Sequence, residues 1–291
     1  MAGLLWGSRY RRSGRRRRLA MGLSTLLGAK PRGFFIPYRY ADRVKTGGYP
    51  ALGARFAARA GAFLDLLAEI EAWIPQFLTM RGPAPAPRFD QDWFARLDAA
   101  AAYAIVRRTR PHRIVEVGSG HSTRFLARAI ADGGLRTSLL CIDPAPRASL
   151  QNLAVEWLPH LLQDVPQACF TDLRPGDVLF IDSSHVLMPG SDVDRLLNHV
   201  LPVLAPGTLV HLHDIFLPDP YPEGWAWRGY NEQSAVAALL QGDAYEVVFA
   251  SHYLVSRHAD RLARSALATL PRPAGALECS LWLRKRGASA D

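Results

Sequence analysis

No run of eighteen uninterrupted apolar residues occurs in the 291-residue chain, so a membrane-spanning helix has no support. Cysteine is scarce and odd in number. Cys141, Cys169 and Cys279 show no ligand spacing, which argues against a disulfide framework and fits a reducing cytoplasm. Lysine is nearly absent, with 3 residues (Lys30, Lys45, Lys285) among 35 basic ones, so arginine is the habitual cation here. An individual arginine therefore says little about fork-shaped recognition. No internal repeat occurs. What is present, 49% apolar and 21% charged residues, is globular, and the length suits one large domain or one domain with an extension.

The net charge of +9 would suggest a nucleic-acid partner if it were spread over a surface. It is not spread: "RYRRSGRRRR" places seven arginines between Arg9 and Arg18, and the remainder carries about +2. The run reads as a solvated arm, with Met21 an alternative start. Contact with anionic lipid or nucleic acid is a second reading. Export is a third, weakened because Lys30 to Arg32 stands where a small-residue cleavage site belongs.

Residues 1–48 lack sustained periodicity and form an arm, partly disordered, in which the aromatics of "GFFIPYRYAD" (Gly33 to Asp42) are expected to dock on the domain. Residues 49–90 form a helical extension and linker. Leu52, Phe56, Ala60, Phe63, Leu67, Ile70 and Ile74 advance by alternating fours and threes, which predicts a helix ended by Pro75 and packed on its own domain rather than on a second copy. "RGPAPAPRFD" (Arg81 to Asp90) is a proline-rich linker and the best boundary.

From residue 91 to 291 short apolar runs alternate with helical stretches. A helix near Asp92 to Arg108 leads to "RIVEV", then come a glycine turn and a helix ending at "DGG", "SLLCID", a less regular "VEWLPHLLQD", "DVLFID", a helix over Ser191 to Leu204, and "GTLVHLHD". That alternation predicts an α/β fold, a doubly wound, mostly parallel sheet with helices on both faces. "YEVVFASHYLVS" (Tyr245 to Ser256) and "ECSLWLRK" (Glu278 to Lys285) are two late strands, expected as an antiparallel pair at the sheet edge.

Ligands of such sheets bind beyond the carboxyl ends of the strands, where strand order reverses. Five polar endings, "EVGSGHS", Asp143, Gln163-Asp164, "DSSH" and "HLHD", are expected to line one cleft. Gly118-Ser119-Gly120 lets backbone approach a ligand and aims the next helix's amides at it. A dinucleotide fingerprint would need glycine where Thr123 stands, which disfavours a nicotinamide dehydrogenase. Asp143, at the end of the second strand, can accept hydrogen bonds from both hydroxyls of a ribose. His211 alternates onto the side of His213 and reads as a core histidine. "LPDPYPEGWAWRGYNEQ" (Leu217 to Gln233) is a long structured loop rich in aromatics, a lid over the cleft or an aromatic plug, with Asn231 a cap for the following helix.

"VEVGSGHST", "IDPAPR", "DVLFIDSSH" and "GTLVHLHDIF" together resemble the class I S-adenosylmethionine-dependent methyltransferases, in the branch similar to small-molecule O-methyltransferases. The resemblance covers about Asp92 to Arg286. It implies a Rossmann-like, seven-stranded sheet with a reversed last strand. It also implies S-adenosylmethionine as cofactor, with Glu116, Gly118, Ser119, Gly120 and Ser122 on the methionine and ribose side, Asp143 on the ribose, and Gln163 or Asp164 beside the adenine. His213, Asp214, His185 and Asp182 are the expected catalytic set, a neutral histidine taking the acceptor's proton. In relatives, carboxylates matching Asp182 and Asp214 hold a divalent cation such as Mg²⁺, whereas here His213 replaces a common acidic residue. Metal-assisted deprotonation, a metal-free His/Asp base and a structural pair all stay open. The expected partner is a small-molecule acceptor, methylated at oxygen, rather than nucleic acid; a homodimer also stays open. Two other readings are a non-catalytic nucleotide-binding scaffold and an RNA methyltransferase gripping through the arginine arm. The absence of an Asn-Pro-Pro-Tyr-type motif weighs against the last.

Overall fold

The apolar runs become seven strands in the computed structural model, which describes residues 16–287 except 29 and 35. They are β1 (Arg113–Val117), β2 (Ser138–Ile142), β3 (Glu156–Leu158), β4 (Val178–Ile181), β5 (Leu209–Leu212), β6 (Tyr245–Ala250) and β7 (Leu281–Lys285), in the order β3-β2-β1-β4-β5-β7-β6. All neighbours are parallel except β7, which runs antiparallel between β5 and β6. This is the expected doubly wound, Rossmann-like sheet with one reversed strand. Every residue of β4 and β5 is buried, as strands covered on both faces must be. Chain order reverses between β1 and β4, which puts the ligand crevice at their carboxyl ends.

The main helices are α1 (16–26), α2 (Pro50–Glu71), α3 (Arg96–Thr109), α4 (His121–Asp132), α5 (Asp192–Arg195), α6 (Glu232–Leu239) and α7 (Ser251–Arg257). Among the described residues no helix is long and apolar enough to cross a membrane. Two packed units emerge. One comprises the chain up to Gly48 with Asp219–Tyr230, the other Tyr49–Pro218 with the chain from Asn231. In the larger unit, α2 buries Leu52, Phe56, Phe63, Leu66, Leu67 and Ile70, and Phe63 meets Phe249 of β6 and Tyr253 of α7 edge-on. The proline-rich stretch joins the same core rather than marking a boundary, since its Phe89 packs on Phe77 and on Phe125 of α4.

In the smaller unit, helical turns at 16–26 replace the expected irregular arm, and most of the arginine run lies outside the described residues. Within Gly33 to Asp42, expected to dock through its aromatics, Phe34, Ile36, Tyr38 and Tyr40 are exposed. Tyr38 meets Tyr40 edge-on, and Arg39 and Arg43 lie over the Tyr40 ring.

The helix expected to be ended by Pro75 stops at Glu71, and Pro75 lies instead in the first turn of a short helix over Ile74–Phe77. Three further element boundaries differ from expectation. β6 stops at Ala250, because its partner β7 begins at Leu281, and the residues beyond coil into α7 to bury Tyr253 and Leu254. The helix before β1 starts at Arg96, since the Gln91 side chain accepts the amides of Trp93 and Phe94 and holds that stretch in a turn. The helix predicted from Ser191 begins as α5, widens to a π-helix at Leu196–Val200 and tightens at Leu201–Val203. Pro202 accounts for this, as it donates no amide and its ring excludes the carbonyl four residues back.

Candidate functional site

At the end of β1, Gly118 has φ +82 and sits so close to β4 that a Cβ would lie 1.8 Å from the Asp182 carbonyl oxygen. Only glycine fits. The strands cannot part there, since Asp182 N donates to Val117 O at 2.8 Å. Beneath the turn, the fully buried Glu116 accepts hydrogen bonds from Ser122 Oγ (2.7 Å) and Thr123 Oγ1 (2.5 Å), while Gly120 N donates to Thr123 Oγ1 (2.9 Å). The carboxylate thus braces the loop and the first turn of α4. Glu116 and Ser122, expected on the ligand, lie under the loop instead, with their polar atoms bound to one another. Other polar atoms there are shielded from solvent: among the described residues Ser119 Oγ, His121 Nδ1 and Ser183 Oγ have no hydrogen-bond partner. Unpaired buried polar atoms are costly, so their grouping at these strand ends fits a ligand cradle.

Burial pushes the Glu116 carboxyl up from its usual 4.5 to about 7. A raised carboxyl penalises the folded state only where the unfolded chain would ionise it. The penalty is absent below about pH 4.5, grows to about 3 kcal/mol at pH 7 and is constant above. Glu116→Gln should therefore gain stability relative to the natural chain as pH rises from 4.5 to 7, as measured by urea unfolding at a series of pH values. Parallel curves would disprove the assignment.

Asp143, half-exposed at the end of β2, accepts Ser119 N (2.7 Å) and Ala145 N (2.7 Å), one on each carboxylate oxygen. Each oxygen keeps a lone pair for a ligand. Past β3, Gln163 and Asp164 are exposed in a 3-10 turn, with Gln163 Nε2 donating to Gly190 O at 3.0 Å in the loop after β4.

The strand ends of β4 and β5 form a closed circuit of charges. His185 Nε2 lies 3.3 Å from Asp182 Oδ1 and 3.4 Å from Asp214 Oδ2. His213 Nδ1 lies 3.4 Å from Asp182 Oδ1 and 3.5 Å from Asp214 Oδ1. All four predicted catalytic residues thus converge, each imidazole bridging both carboxylates. His185 (φ 61) and Asp214 (φ 58) adopt left-handed backbone that non-glycine residues enter at a cost, a strain that concentrates at functional sites. The two imidazoles are 3% and 5% exposed and Asp214 11%, but Asp182 is 32% exposed and is the face the cluster offers outward.

Two outer acids were not foreseen. Glu232, at the start of α6, holds His185 Nδ1 at 2.9 Å, and its own amide and that of Asn231 donate to the His185 carbonyl. Asp98, on α3, lies 3.6 Å from His213 Nε2 and accepts the amides of Cys279 and Ser280, both at 2.9 Å. Burial lowers the proton affinity of both imidazoles, but the surrounding carboxylates outweigh it and hold His185 and His213 well above the usual histidine range. Burial alone would raise Asp182; the charge of His213 and hydrogen bonds from both imidazoles reverse this and hold it well below its usual value. The carboxylates around the two rings thus favour their protonated forms over the neutral base expected from the sequence. His211 is the core histidine expected, with Nε2 2.8 Å from Ser280 Oγ and its ring stacked 3.7 Å from Phe180.

The carboxylate pair does not fit a Mg²⁺-like ion. Such ions take oxygen donors, and here imidazole nitrogens stand between Asp182 and Asp214. Asn231 caps nothing; its side chain pairs with both the amide and the carbonyl of Leu187. Phe216 N donates to Gln233 Oε1 at 2.6 Å, so the neck of the long loop is closed by hydrogen bonds. Within that loop Arg228 lies over the rings of Trp225, Trp227 and Tyr230.

Residues 115–215 match the family model of a methyltransferase domain. No curated protein matches. Among solved structures, a methyltransferase of Podospora anserina (PaMTH1) bound to SAH is 16% identical and covers 88% of this chain and 100% of its own, at TM-score 0.42. An O-methyltransferase of Bacillus cereus in complex with SAH is 17% identical over 63% of this chain and 82% of its own, TM-score 0.34. A branched-chain polyamine synthase of Thermus thermophilus, bound to N4-aminopropylspermidine and 5'-methylthioadenosine, is 14% identical over 74% of this chain and 63% of its own, TM-score 0.40. The family match and the strand order agree with the resemblance carried by the motifs.

Proposed function

We propose that the chain is an S-adenosylmethionine-dependent methyltransferase acting on a hydroxyl oxygen of a small molecule. The observation that carries the proposal is the double position of Asp182. Its carbonyl touches the glycine turn at Gly118, and its carboxylate fronts the two imidazoles. The donor loop and the proton-handling cluster therefore meet at one residue.

The cradle residues for the donor are Gly118, Ser119, Gly120 and Asp143, with Gln163 and Asp164 toward the adenine and Glu116 and Ser122 bracing from below. When bound, S-adenosylmethionine supplies a methyl group already activated by its sulfonium. The protein's part is alignment and removal of one proton. An acceptor hydroxyl hydrogen-bonded to Asp182 loses its proton there as the new bond forms. Asp182 is a weak base, which suffices because the hydroxyl becomes strongly acidic as the oxygen acquires carbon. His185 and His213 keep Asp182 ionised and oriented, and Asp214 shares their charge.

Calorimetry with S-adenosylmethionine, SAH and NAD, on the natural chain and on Asp143→Ala, tests the donor. The sulfur nucleotides should bind and NAD should not, and Asp143→Ala should weaken binding at least about 10-fold, or about 1.4 kcal/mol. Absence of sulfur-nucleotide binding would sink the proposal. Binding without transfer of labelled methyl to any acceptor in a hydroxylated metabolite library would favour the scaffold alternative.

A further inference from the structure

Behind the outward-facing carboxylate, three side chains of different chemistry converge from separate elements. Asp98 Oδ2 comes from α3, His213 Nε2 from the end of β5, and Cys279 Sγ from the residues leading into β7. The ligand atoms all lie within 4.8 Å of one another, and none of the three residues is more than 5% exposed. The nitrogen is 3.6 Å from the carboxylate oxygen and 4.0 Å from the sulfur. The first distance is too long for a hydrogen bond, and the second is at the outer limit for one to sulfur. The groups surround a point without bonding firmly to each other. We propose that Asp98, His213 and Cys279 form a site for one borderline-soft divalent cation of the Zn²⁺ kind.

The dimensions and the outer contacts both suit such an ion. Zn²⁺ bonds of about 2.0–2.1 Å to nitrogen and oxygen and about 2.3 Å to sulfur put tetrahedral ligands about 3.4–3.6 Å apart, a few tenths of an ångström inside the two distances from His213 Nε2. A thiolate, an imidazole and a carboxylate select Zn²⁺ over Mg²⁺ or Ca²⁺. A ligating histidine characteristically turns its other nitrogen to a carboxylate, and His213 Nδ1 faces Asp182 and Asp214. The Asp98 carboxylate is itself oriented by the amides of Cys279 and Ser280. Binding a cation here would release the protons of both the Cys279 thiol and His213 Nε2, so affinity should rise with pH. The Cys279 thiol donates to Asp214 Oδ1 at 3.3 Å, a contact that a bound cation would replace. Such an ion would lock His213 in place beneath Asp182. The site does not depend on the methyl-transfer proposal.

The test uses the full chain, stripped with chelator and titrated with Zn²⁺ against a chromophoric competitor, and separately with Co²⁺. One equivalent should bind, Co²⁺ should give a thiolate charge-transfer band, and X-ray absorption of the Zn²⁺ form should show one sulfur at about 2.3 Å. Cys279→Ser should abolish the band, and Asp98→Asn should keep it while weakening Zn²⁺ by more than about 10-fold. Cys141→Ser and Cys169→Ser should change neither. Failure of the natural chain to bind one equivalent, a metal shell lacking sulfur, or a band that survives Cys279→Ser would each overturn the proposal. The absorption measurement needs no variant, so it decides even if Asp98→Asn does not fold.

Discussion

Gly118→Ala should abolish donor binding and cost several kcal/mol of stability. The added methyl would sit 1.8 Å from the Asp182 carbonyl oxygen, where real contacts do not occur. Neither partner can yield cheaply, because the Asp182 amide is bonded to Val117 and both strands are central in the sheet. The φ of +82 adds the left-handed penalty of about 1–2 kcal/mol that an L side chain incurs. With the overpacking cost of about 1–3 kcal/mol, the loss is about 2–5 kcal/mol. Urea unfolding reads the stability and SAH calorimetry the binding. A variant that kept both within twofold of the natural chain would show that the turn is not built as described.

Asp182→Asn should do the opposite: donor binding within a few-fold of the natural chain, and turnover of an identified acceptor reduced by about 10²–10⁴, the range for loss of a positioned base. The amide preserves the shape of the carboxylate but cannot take a proton, and it removes a negative charge that two imidazoles share. Single-turnover transfer of labelled methyl separates the two effects. Equal loss of SAH affinity and transfer would instead assign Asp182 to the donor cradle.

Much of the sheet was legible because buried strands announce themselves as short apolar runs and because glycine turns and carboxylates punctuate their ends. The convergence of Asp182, His185, His213 and Asp214 followed from that placement. The outer acids were not legible, since each has an ordinary meaning where it stands. Asp98 opens an alanine-rich helix and Glu232 opens α6, positions where an acid simply complements the helix dipole. Cys279 is one cysteine in an apolar stretch. The raised proton affinity of His185 and His213 was hidden for the same reason, because it depends on Asp182, Asp214 and Glu232, which lie far apart in the chain.

The closed neck at Phe216, Asn231 and Gln233 has an evolutionary consequence. Its hydrogen bonds tie both ends of the segment between Pro218 and Asn231 to the body of the sheet. Changes of length within that segment can therefore be absorbed without breaking the pairing at its neck. Among natural variants of this fold, divergence should gather there while the residues at its two ends keep their pairing.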